Sequence, residues 1–297
     1  MFPNFIPTTA NKLTELESIN LVKKIKLETI TTSLISQPIK STYVHQGSGG
    51  TPILLLHGFD SSILEFRRLL PLLAKVTETW AIDLLGFGLT ERIPNLSINP
   101  ENIKTHLYYF WKTLIKKPVI LVGASMGGAT AIDFTLTYPD IVEKLVLLDS
   151  AGLAHQPLGG KLMFPPLDYL ATAFLRNPKV RQSISTAAYY DKSLANLDAQ
   201  ICAALHLECP GWSQSLIAFT KSGGYGSFAS KLHQIKQPTL IIWGENDKIL
   251  GIKDAEKFKK AIALSSLIWI KNCGHVPHLE QPQITAENIL TFGSHRL

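Results

Sequence analysis

The sequence predicts an α/β domain in which helices cover both faces of a mostly parallel sheet. Three observations lead to this prediction. Short uninterrupted apolar runs recur along the chain, as expected for parallel strands that are buried on both sides. Helix-like stretches lie between most of these runs. The chain has 297 residues, 45% of them hydrophobic, which is enough to bury one large core.

The predicted elements follow one another in a regular order. Residues 1 to about 25 form a leading segment, and strand-like patterning follows at 28–35 and 39–45. Continuous apolar runs then predict six buried strands, at residues 53–56, 79–82, 119–122, 145–148, 239–243 and 267–270. Helix-like patterns predict helices between them, at 64–75, 102–115, 129–137 and 255–263. This alternation is typical of a doubly wound sheet.

One connection is much longer than the others. Roughly 85 residues separate the strand that ends near Asp149 from the strand that begins near Pro238. This segment is too long for a simple crossover and too apolar for a disordered loop, and it contains helix-like patterns at 161–175, 193–207 and 212–222. We interpret it as a helical insertion over the carboxyl edge of the sheet, where open α/β sheets bind ligands. The predicted organisation is a core of residues 1–152 and 231–297 with a cap of residues 153–230.

The charge pattern argues against binding of nucleic acid. The net charge is +6, but the lysines and arginines are scattered or form isolated pairs such as Lys23-Lys24. They do not alternate with aromatic residues as on a nucleic-acid surface. A weak attraction to anionic membrane surfaces stays open.

The cysteines and the hydropathy pattern predict the cellular compartment of the protein. Cys202, Cys209 and Cys273 form neither a disulfide framework nor a zinc pattern, so we expect buried thiols in a reducing environment. No run of about 18 apolar residues predicts a transmembrane helix, and the N-terminal residues lack the layout of a signal peptide. We expect a cytoplasmic protein, with peripheral contact to a membrane left open. We also expect a monomer.

The stretch GASMGG, residues 123–128, follows a predicted strand and precedes a predicted helix. It contains the pattern G-x-S-x-G, in which a nucleophilic serine stands on a sharp strand-to-helix turn. The residues two before and two after Ser125 come close together in such a turn, so both must be small. The N–H groups that begin the next helix favour developing negative charge. Ser125 is therefore the predicted nucleophile.

A serine hydroxyl needs a base that removes its proton, and the chain offers nine histidines. His275 lies in the stretch NCGHVP, directly after the last predicted strand, where a loop can reach back over the sheet edge. His278 is the nearby alternative. We favour His275 because it lies between a glycine and an apolar residue immediately after the strand.

The base in turn needs an acid that fixes its tautomer and stabilises the imidazolium. Asp247, in the stretch GEND, follows a predicted strand and gives the chain order serine, aspartate, histidine. Glu245 is the closest alternative, and Asp149, at the end of the preceding strand, is another. We interpret Asp83, in DLLGFG, as a residue that orders its own loop.

Acyl transfer also needs two donors for the oxyanion. The backbone N–H of Met126, the residue after the nucleophile, is one candidate. The backbone N–H of Phe59, in the loop after the strand at 53–56, is the other. Gly58 lets that loop approach the substrate, and we interpret His57 as a loop-ordering residue.

Five motifs together resemble the α/β-hydrolase superfamily. They are HGF at 57–59, DLLGFG at 83–88, GASMGG at 123–128, GEND at 244–247 and GHVPHLEQP at 274–282. The resemblance runs from about residue 50 to the end of the chain. It implies an α/β-hydrolase fold with an eight-stranded, mostly parallel sheet, a helical cap after the sixth strand and a triad of Ser125, Asp247 and His275. A serine at position 125 argues against haloalkane dehalogenases and epoxide hydrolases, which use a carboxylate there.

A narrower resemblance is found in the front half of the chain. The stretches 57–73, 78–88 and 108–128 are similar to plant and cyanobacterial chlorophyll dephytylases. This resemblance implies cleavage of the phytyl ester of chlorophyll-type pigments, and peripheral contact with a thylakoid membrane stays open.

The cap contains an apolar, partly aromatic set of residues that would suit a long apolar alcohol. The set consists of Leu162, Met163, Phe164, Leu167, Tyr169, Leu170 and Phe174. Ordinary packing against the core, an apolar substrate groove and a membrane-docking face all stay open for these residues.

The sequence thus predicts a serine hydrolase that cleaves a carboxylic ester of an apolar alcohol and needs no metal or organic cofactor. The phytyl ester of a chlorophyll derivative is the leading substrate. General carboxylesterases, lipase-like enzymes and C–C bond hydrolases of dienoate products use the same triad and stay open as alternatives. A receptor that binds an apolar small molecule on a hydrolase fold is the alternative of a different class.

Overall fold

The computed structural model describes residues 1–153 and 167–294. Its central feature is one eight-stranded sheet. The strands are β1 (Lys26–Ile30), β2 (Ile39–Gln46), β3 (Ile53–Leu56), β4 (Thr79–Ile82), β5 (Val119–Ala124), β6 (Val142–Leu148), β7 (Thr239–Gly244) and β8 (Ser265–Ile270). All six predicted buried strands are present, within a few residues of their predicted bounds.

The strands are arranged in the order β1-β2-β4-β3-β5-β6-β7-β8. The β1–β2 hairpin is antiparallel, β2 runs antiparallel to β4, and all neighbours from β4 to β8 are parallel. The predicted mostly parallel sheet is therefore confirmed. Because β4 and β5 lie on opposite sides of β3, the connections diverge there and leave a crevice at the carboxyl ends of the strands.

The first strand is shorter than the predicted segment 28–35. It ends at Ile30, which pairs with Ile39 at the open end of the hairpin. Residues 31–38 form the connection between the two strands instead of extending the first.

The apolar runs bury side chains on both faces of the sheet. Successive side chains of a strand point to opposite faces, so Leu54 and Leu56 belong to one core cluster while Ile53 and Leu55 belong to the other. All four side chains are at most 1% exposed. This two-sided burial explains why the apolar runs are continuous rather than alternating.

Helices pack on both faces of the sheet. Those in the described residues are α1 (Leu16–Lys24), α2 (Leu70–Leu73), α3 (Pro100–Phe110), α4 (Met126–Thr137), α5 (Leu167–Arg176), α6 (Pro178–Ala188), α7 (Leu197–Ala204), α8 (Trp212–Lys221), α9 (Lys253–Ala261), α10 (Pro277–Glu280) and α11 (Pro282–Ser294). In this part of the chain, no helix has the length and apolar character needed to cross a membrane.

Two predicted helices are shorter than expected. The segment 64–75 is divided into a 3-10 turn at Ile63–Phe66 and the short helix α2, because Pro71 is accepted at the start of a helix but would break a longer one. The segment 193–207 contains α7 flanked by two 3-10 turns. Asn196 fixes the beginning of α7, since its side chain accepts a hydrogen bond from the N–H of Ala199.

The leading segment is attached to the rest of the molecule. Leu21 and Val22 of α1 are buried in a core cluster. The N–H groups of Thr14 and Glu15 donate to one carboxylate oxygen of Asp198 on α7, at 2.8 and 2.9 Å. The segment therefore connects the core to the helices between β6 and β7.

Helices α5 to α8 all lie between β6 and β7, which agrees with the predicted helical cap after the sixth strand. We use the word cap for these four helices. Helix α5 contacts α6 and α8, and α6 contacts α7, so the four helices form one layer.

Candidate active site

Ser125 stands on a strained turn between β5 and α4. Its backbone has φ 51° and ψ −119°, a conformation that residues other than glycine rarely adopt. The Ser125 N–H donates to the carbonyl of Leu148 at 3.0 Å, and its own carbonyl accepts from the N–H of Gly128 and of Ala151, both at 2.9 Å. These bonds to β6 and to the loop after it hold the turn in the conformation that the nucleophile elbow requires.

The glycines around Ser125 have separate steric causes. A Cβ on Gly123 would lie 2.2 Å from the carbonyl oxygen of Gly127, so the first glycine is required by the turn itself. A Cβ on Gly127 would lie 2.1 Å from the carbonyl oxygen of Leu56, so the second glycine is required because α4 packs against the end of β3. The predicted need for small residues at both positions is confirmed. The cause differs for Gly127, which must be small because of β3 and not because of the turn.

His275 and Asp247 form a buried pair. Nδ1 of His275 lies 3.0 Å from Oδ2 of Asp247, and the side chain of Asp247 is 0% exposed. The other carboxylate oxygen, Oδ1, accepts from the N–H groups of Ile249 and Leu250 at 2.7 and 3.2 Å. Burial opposes ionisation of Asp247, but the hydrogen bond and charge of His275 and the two amides hold its pKa below the ordinary value. Asp247 is therefore the ionised partner of His275.

Ser125 and His275 line the same cavity, which has a volume of about 310 Å³. The core side of the cavity also includes Gly58 and Phe59, and the cap contributes side chains such as Ile184. The structure thus brings the three predicted triad residues together at the carboxyl ends of β5, β7 and β8. Glu245, the alternative acid, is exposed.

The loop that carries His275 is anchored to the end of α6. The His275 N–H donates to the carbonyl of Ala188 at 2.7 Å. One oxygen of Glu280 accepts from the N–H groups of Gly274 and Tyr190, at 2.7 and 3.0 Å. A Cβ on Gly274 would lie 2.2 Å from the Ala188 carbonyl oxygen, so glycine is needed for this close approach.

The two candidate oxyanion donors lie on elements next to Ser125. Met126 is the first residue of α4, where N–H groups have no partner within the helix. The loop after β3 passes close to Ser125, because a Cβ on Gly58 would lie 3.3 Å from the Ser125 Cβ. Phe59 follows on this loop and lines the cavity.

A second acid–histidine pair, Glu65 and His278, supports that loop. Oε2 of Glu65 accepts from the N–H of Gly58 at 2.9 Å, and Oε1 lies 3.0 Å from Nε2 of His278. Burial opposes ionisation, but His278 lowers the pKa of Glu65 to about 2. His278, the alternative base, is 1% exposed and is paired with Glu65 rather than with Asp247. Sequence reasoning missed Glu65, which lies in what reads as an ordinary amphipathic segment.

His57 and Asp83 order the loops below the site, as predicted. Nε2 of His57 accepts from the N–H of Leu84 at 3.0 Å, so Nδ1 carries the proton and donates to the Gly58 carbonyl at 2.8 Å. Asp83 accepts the N–H of Leu89 at 2.9 Å. Both side chains are 0% exposed.

Another carboxylate, Asp60, connects the loop after β3 to the cap. It accepts hydrogen bonds from Trp212 Nε1 at 2.7 Å, from His206 Nε2 at 3.0 Å and from Arg181 Nη1 at 2.7 Å. Burial opposes ionisation, but His206 and Arg181 lower the pKa of Asp60 to about 2. These partners are 121 to 152 residues away in the chain, so no local pattern could have signalled the cluster.

The predicted apolar residues of the cap are only partly placed. Leu162, Met163 and Phe164 lie outside the described residues. Leu167, Leu170 and Phe174 lie on α5 at a spacing that puts them on one face, and they are 46%, 60% and 62% exposed. Of the described residues of this helix, Leu175 lines the cavity. A role for the exposed face in substrate binding stays a prediction.

Fold and site together define a class of protein. A serine at the β5–α4 turn, an acid after β7 and a histidine after β8 on this sheet are the arrangement of α/β-hydrolases. A family model described as alpha/beta hydrolase fold matches residues 51–282. The chain belongs to this family and is a hydrolase of the α/β fold.

Individual relatives have several activities. The chain is 34% identical to the alpha/beta hydrolase domain-containing protein VTE7 of Arabidopsis thaliana, over 100% of this chain and 92% of that protein. It is 28% identical to a 2-hydroxy-6-oxo-6-(2'-aminophenyl)hexa-2,4-dienoic acid hydrolase of Metapseudomonas resinovorans, over 87% and 89% of the two chains. A thermophilic esterase from Thermogutta terrifontis matches in structure with a TM-score of 0.77 at 22% identity, covering 90% of this chain and 97% of the other. At that identity the last match shows the fold alone.

Proposed function

We propose that the protein is a serine hydrolase that cleaves a carboxylic ester of an apolar alcohol. One observation carries this proposal: Ser125 and His275 line one cavity, and His275 is paired with the ionised Asp247 at 3.0 Å. A serine on a strained turn, a histidine and a buried carboxylate are the parts that nucleophilic acyl transfer requires.

The mechanism follows from these positions. His275 Nε2 takes the proton of Ser125 Oγ while the oxygen attacks the ester carbonyl carbon. The N–H groups of Phe59 and Met126 donate to the resulting oxyanion, and the imidazolium is stabilised through its Nδ1–H bond to Asp247. His275 then gives the proton to the departing alkoxide, and the alcohol leaves. A water molecule, deprotonated by His275, releases the acid from Ser125 in the second half.

For the substrate we propose the phytyl ester of a chlorophyll derivative. The resemblance to dephytylases supports this choice. The cavity of about 310 Å³ is at the small end for ligand sites, so it holds the ester group while a long chain would extend outward. Exposed apolar side chains flank it, since Ile249 both lines the cavity and is 42% exposed. We include in this proposal a peripheral contact of these side chains with lipid, where such an ester resides.

Purified protein incubated with chlorophyll a and pheophytin a in detergent tests the proposal, with Ser125→Ala as control. We expect release of phytol by the wild type and a loss of roughly 10⁶-fold in kcat for the variant. Equal release by both proteins would exclude Ser125 as the nucleophile. Repeating the assay with the pigments in anionic vesicles tests the lipid contact, which predicts faster turnover at low salt than at high salt.

A second candidate is hydrolysis of another small substrate, either an ester or a C–C bond. The 28% identity to a dienoic acid hydrolase and the 26% identity to Lipase 1 of Psychrobacter immobilis favour keeping it. Rapid cleavage of short nitrophenyl esters without release of phytol would support an esterase of this kind. Tight binding of a terpenoid without turnover of any ester would indicate a receptor instead.

A further inference from the structure

A third carboxyl group, that of Asp149, lies against the pair of Asp247 and His275. Asp149 directly follows β6, whose last residue pairs with Ile242 of the neighbouring strand β7. One side-chain oxygen of each aspartate and one ring nitrogen of His275 all lie within 4.8 Å of one another. Asp149 is 0% exposed. The mechanism above gives this group no part.

The contacts of Asp149 fix its carboxyl group but satisfy only half of it. Its N–H donates to the carbonyl of Ile242 at 3.0 Å, and Oδ1 accepts from the N–H of Gly244, also at 3.0 Å. Its backbone has φ 38°, a strained conformation for an aspartate. Among the described residues no donor reaches Oδ2, which is buried. A buried acceptor without a donor is costly, whereas a proton on Oδ2 would turn it into a donor.

The charges that face Asp149 favour that proton. Asp247 and Glu280 are the acidic groups that face it. The thiol of Cys273, whose pKa is raised by burial and by these acids, is neutral, and His275 faces Asp149 from the loop after β8. Burial, followed by the negative charge of Asp247, raises the pKa of Asp149 well above its ordinary value. Asp247, which receives the hydrogen bond of His275, has a lowered pKa. Of the two aspartates, Asp247 is therefore the ionised one and Asp149 the neutral one.

We propose that Asp149 is a positioning residue: it carries a proton on Oδ2 and donates that proton in a hydrogen bond to the carboxylate of Asp247. The bond completes the support of Asp247, whose other contacts are His275 and the amides of Ile249 and Leu250. A neutral group at this position adds a donor without adding a second negative charge beside His275. The inference rests on the proposed function, since it assigns Asp149 a task in the same site.

Two substitutions distinguish whether the side chain of Asp149 acts as a hydrogen-bond donor or only fills space. In Asp149→Asn the amide N–H₂ can donate in place of the carboxyl O–H, so most of kcat and the acid limb of the pH–rate profile are retained. Asp149→Leu removes the donor and leaves a similar volume, so kcat falls roughly 10- to 100-fold, the scale for a lost hydrogen bond to a charged group. Asp133→Leu is the matched control without loss of kcat, because Asp133 lies on α4, pairs with Lys104 of α3 and does not line the cavity.

The reaction of Ser125 with a fluorophosphonate measures these rates without a known ester substrate. The serine oxygen displaces fluoride from phosphorus, so the rate reports how well the base and its acid are arranged. No reaction in the wild type would count against the proposed function itself. Equal rates for Asp149→Asn and Asp149→Leu would overturn the positioning role. A shifted acid limb in Asp149→Asn would mean that the native group is charged, which also overturns it.

An infrared measurement tests the proton without any turnover. A protonated carboxylic acid has a carbonyl stretching band distinct from that of a carboxylate. We expect this band in the wild type at neutral pH and its absence in Asp149→Asn, and the same band in both proteins, or in neither, would overturn the proposal. Circular dichroism and thermal unfolding check that each variant is folded. If Asp149→Leu does not fold, the infrared band and the pH profile of Asp149→Asn still decide.

Discussion

Two acid–histidine pairs lie near the candidate nucleophile, and their layout is similar. His275 and His278 are neighbours in the chain, and each lies 3.0 Å from a buried carboxylate oxygen. In each pair, the second carboxylate oxygen accepts backbone N–H groups. Asp247 holds the amides of its own loop, whereas Glu65 holds the amide of Gly58 on the loop beside Ser125.

The difference between the pairs is what the histidine can reach. His275 lines the cavity, while His278 is 1% exposed and packs against the ring of Phe66. The role of an acid–histidine pair is therefore set by its surroundings rather than by its own geometry. We call the first, which the proposed function uses, the catalytic pair, and the second the loop pair.

The largest expected effect separates the two histidines. His275→Ala removes the base, so kcat should fall by roughly 10⁶-fold, as for a triad histidine elsewhere. His278→Ala leaves the base in place and should keep kcat within about tenfold of the wild type. Steady-state kinetics on any accepted ester measures both. If His278→Ala were the inactive variant, the assignment of the two pairs would be reversed.

The next effect concerns the acid of the catalytic pair. Asp247→Asn keeps the shape but loses the charge that fixes the tautomer of His275, so kcat should fall by roughly 10⁴-fold. Glu245→Gln, two residues earlier and exposed, is the matched control and should behave like the wild type. An equal loss in both variants would remove Asp247 from the triad.

A smaller effect is expected from the acid of the loop pair. Glu65→Gln weakens the hold on the Gly58 amide and so displaces the neighbouring oxyanion donor. Loss of a whole oxyanion donor costs roughly 10²- to 10³-fold, so a displaced donor should cost about 10- to 100-fold in kcat. KM should change little, because the oxyanion exists only after attack. A rise in KM with unchanged kcat would show that Glu65 shapes the substrate site instead.

The smallest effect is on stability in acid. The pKa of Glu65 falls from its ordinary 4.5 to about 2 in the folded chain. Its ionised form therefore stabilises the fold above pH 4.5, and this contribution, on the order of 3 kcal/mol, is lost as the pH falls through 2. Urea unfolding at a series of pH values should show a flatter curve for Glu65→Gln than for the wild type. Parallel curves would mean that the pKa of Glu65 is the same in the folded and the unfolded chain.

The catalytic pair could be predicted from the sequence, and the loop pair could not. The elbow serine, the acid after β7 and the histidine after β8 all follow apolar runs that mark buried strands, and the sheet brings the ends of parallel strands together. Glu65 and Asp60 lie close to the same motifs, but their partners are far along the chain. Such contacts depend on how the helices of the cap and the last loop pack, which periodicity does not encode.

Some errors in the predicted bounds of helices have causes that are visible in the sequence. Pro71 divides the helix expected at 64–75, and its position could have been weighed against the apolar pattern. The start of α7 also had a signal, because Asn196 is of a residue type that begins helices. Its end had none, since the 3-10 turn after it continues the helical pattern in the sequence.

The bond between the N–H of His275 and the Ala188 carbonyl has a mechanical consequence. The end of α6 holds the backbone of His275 in place. If this helix moved away from the core to open the cavity, His275 would lose this support and the site would become inactive. Glu280 reinforces this contact between the loop and the end of α6, because one of its oxygens accepts hydrogen bonds from the N–H groups of Gly274 and Tyr190. Substrate must then enter past other parts of the cap while the end of α6 stays in place, or else the site must be rebuilt in each cycle of entry and release.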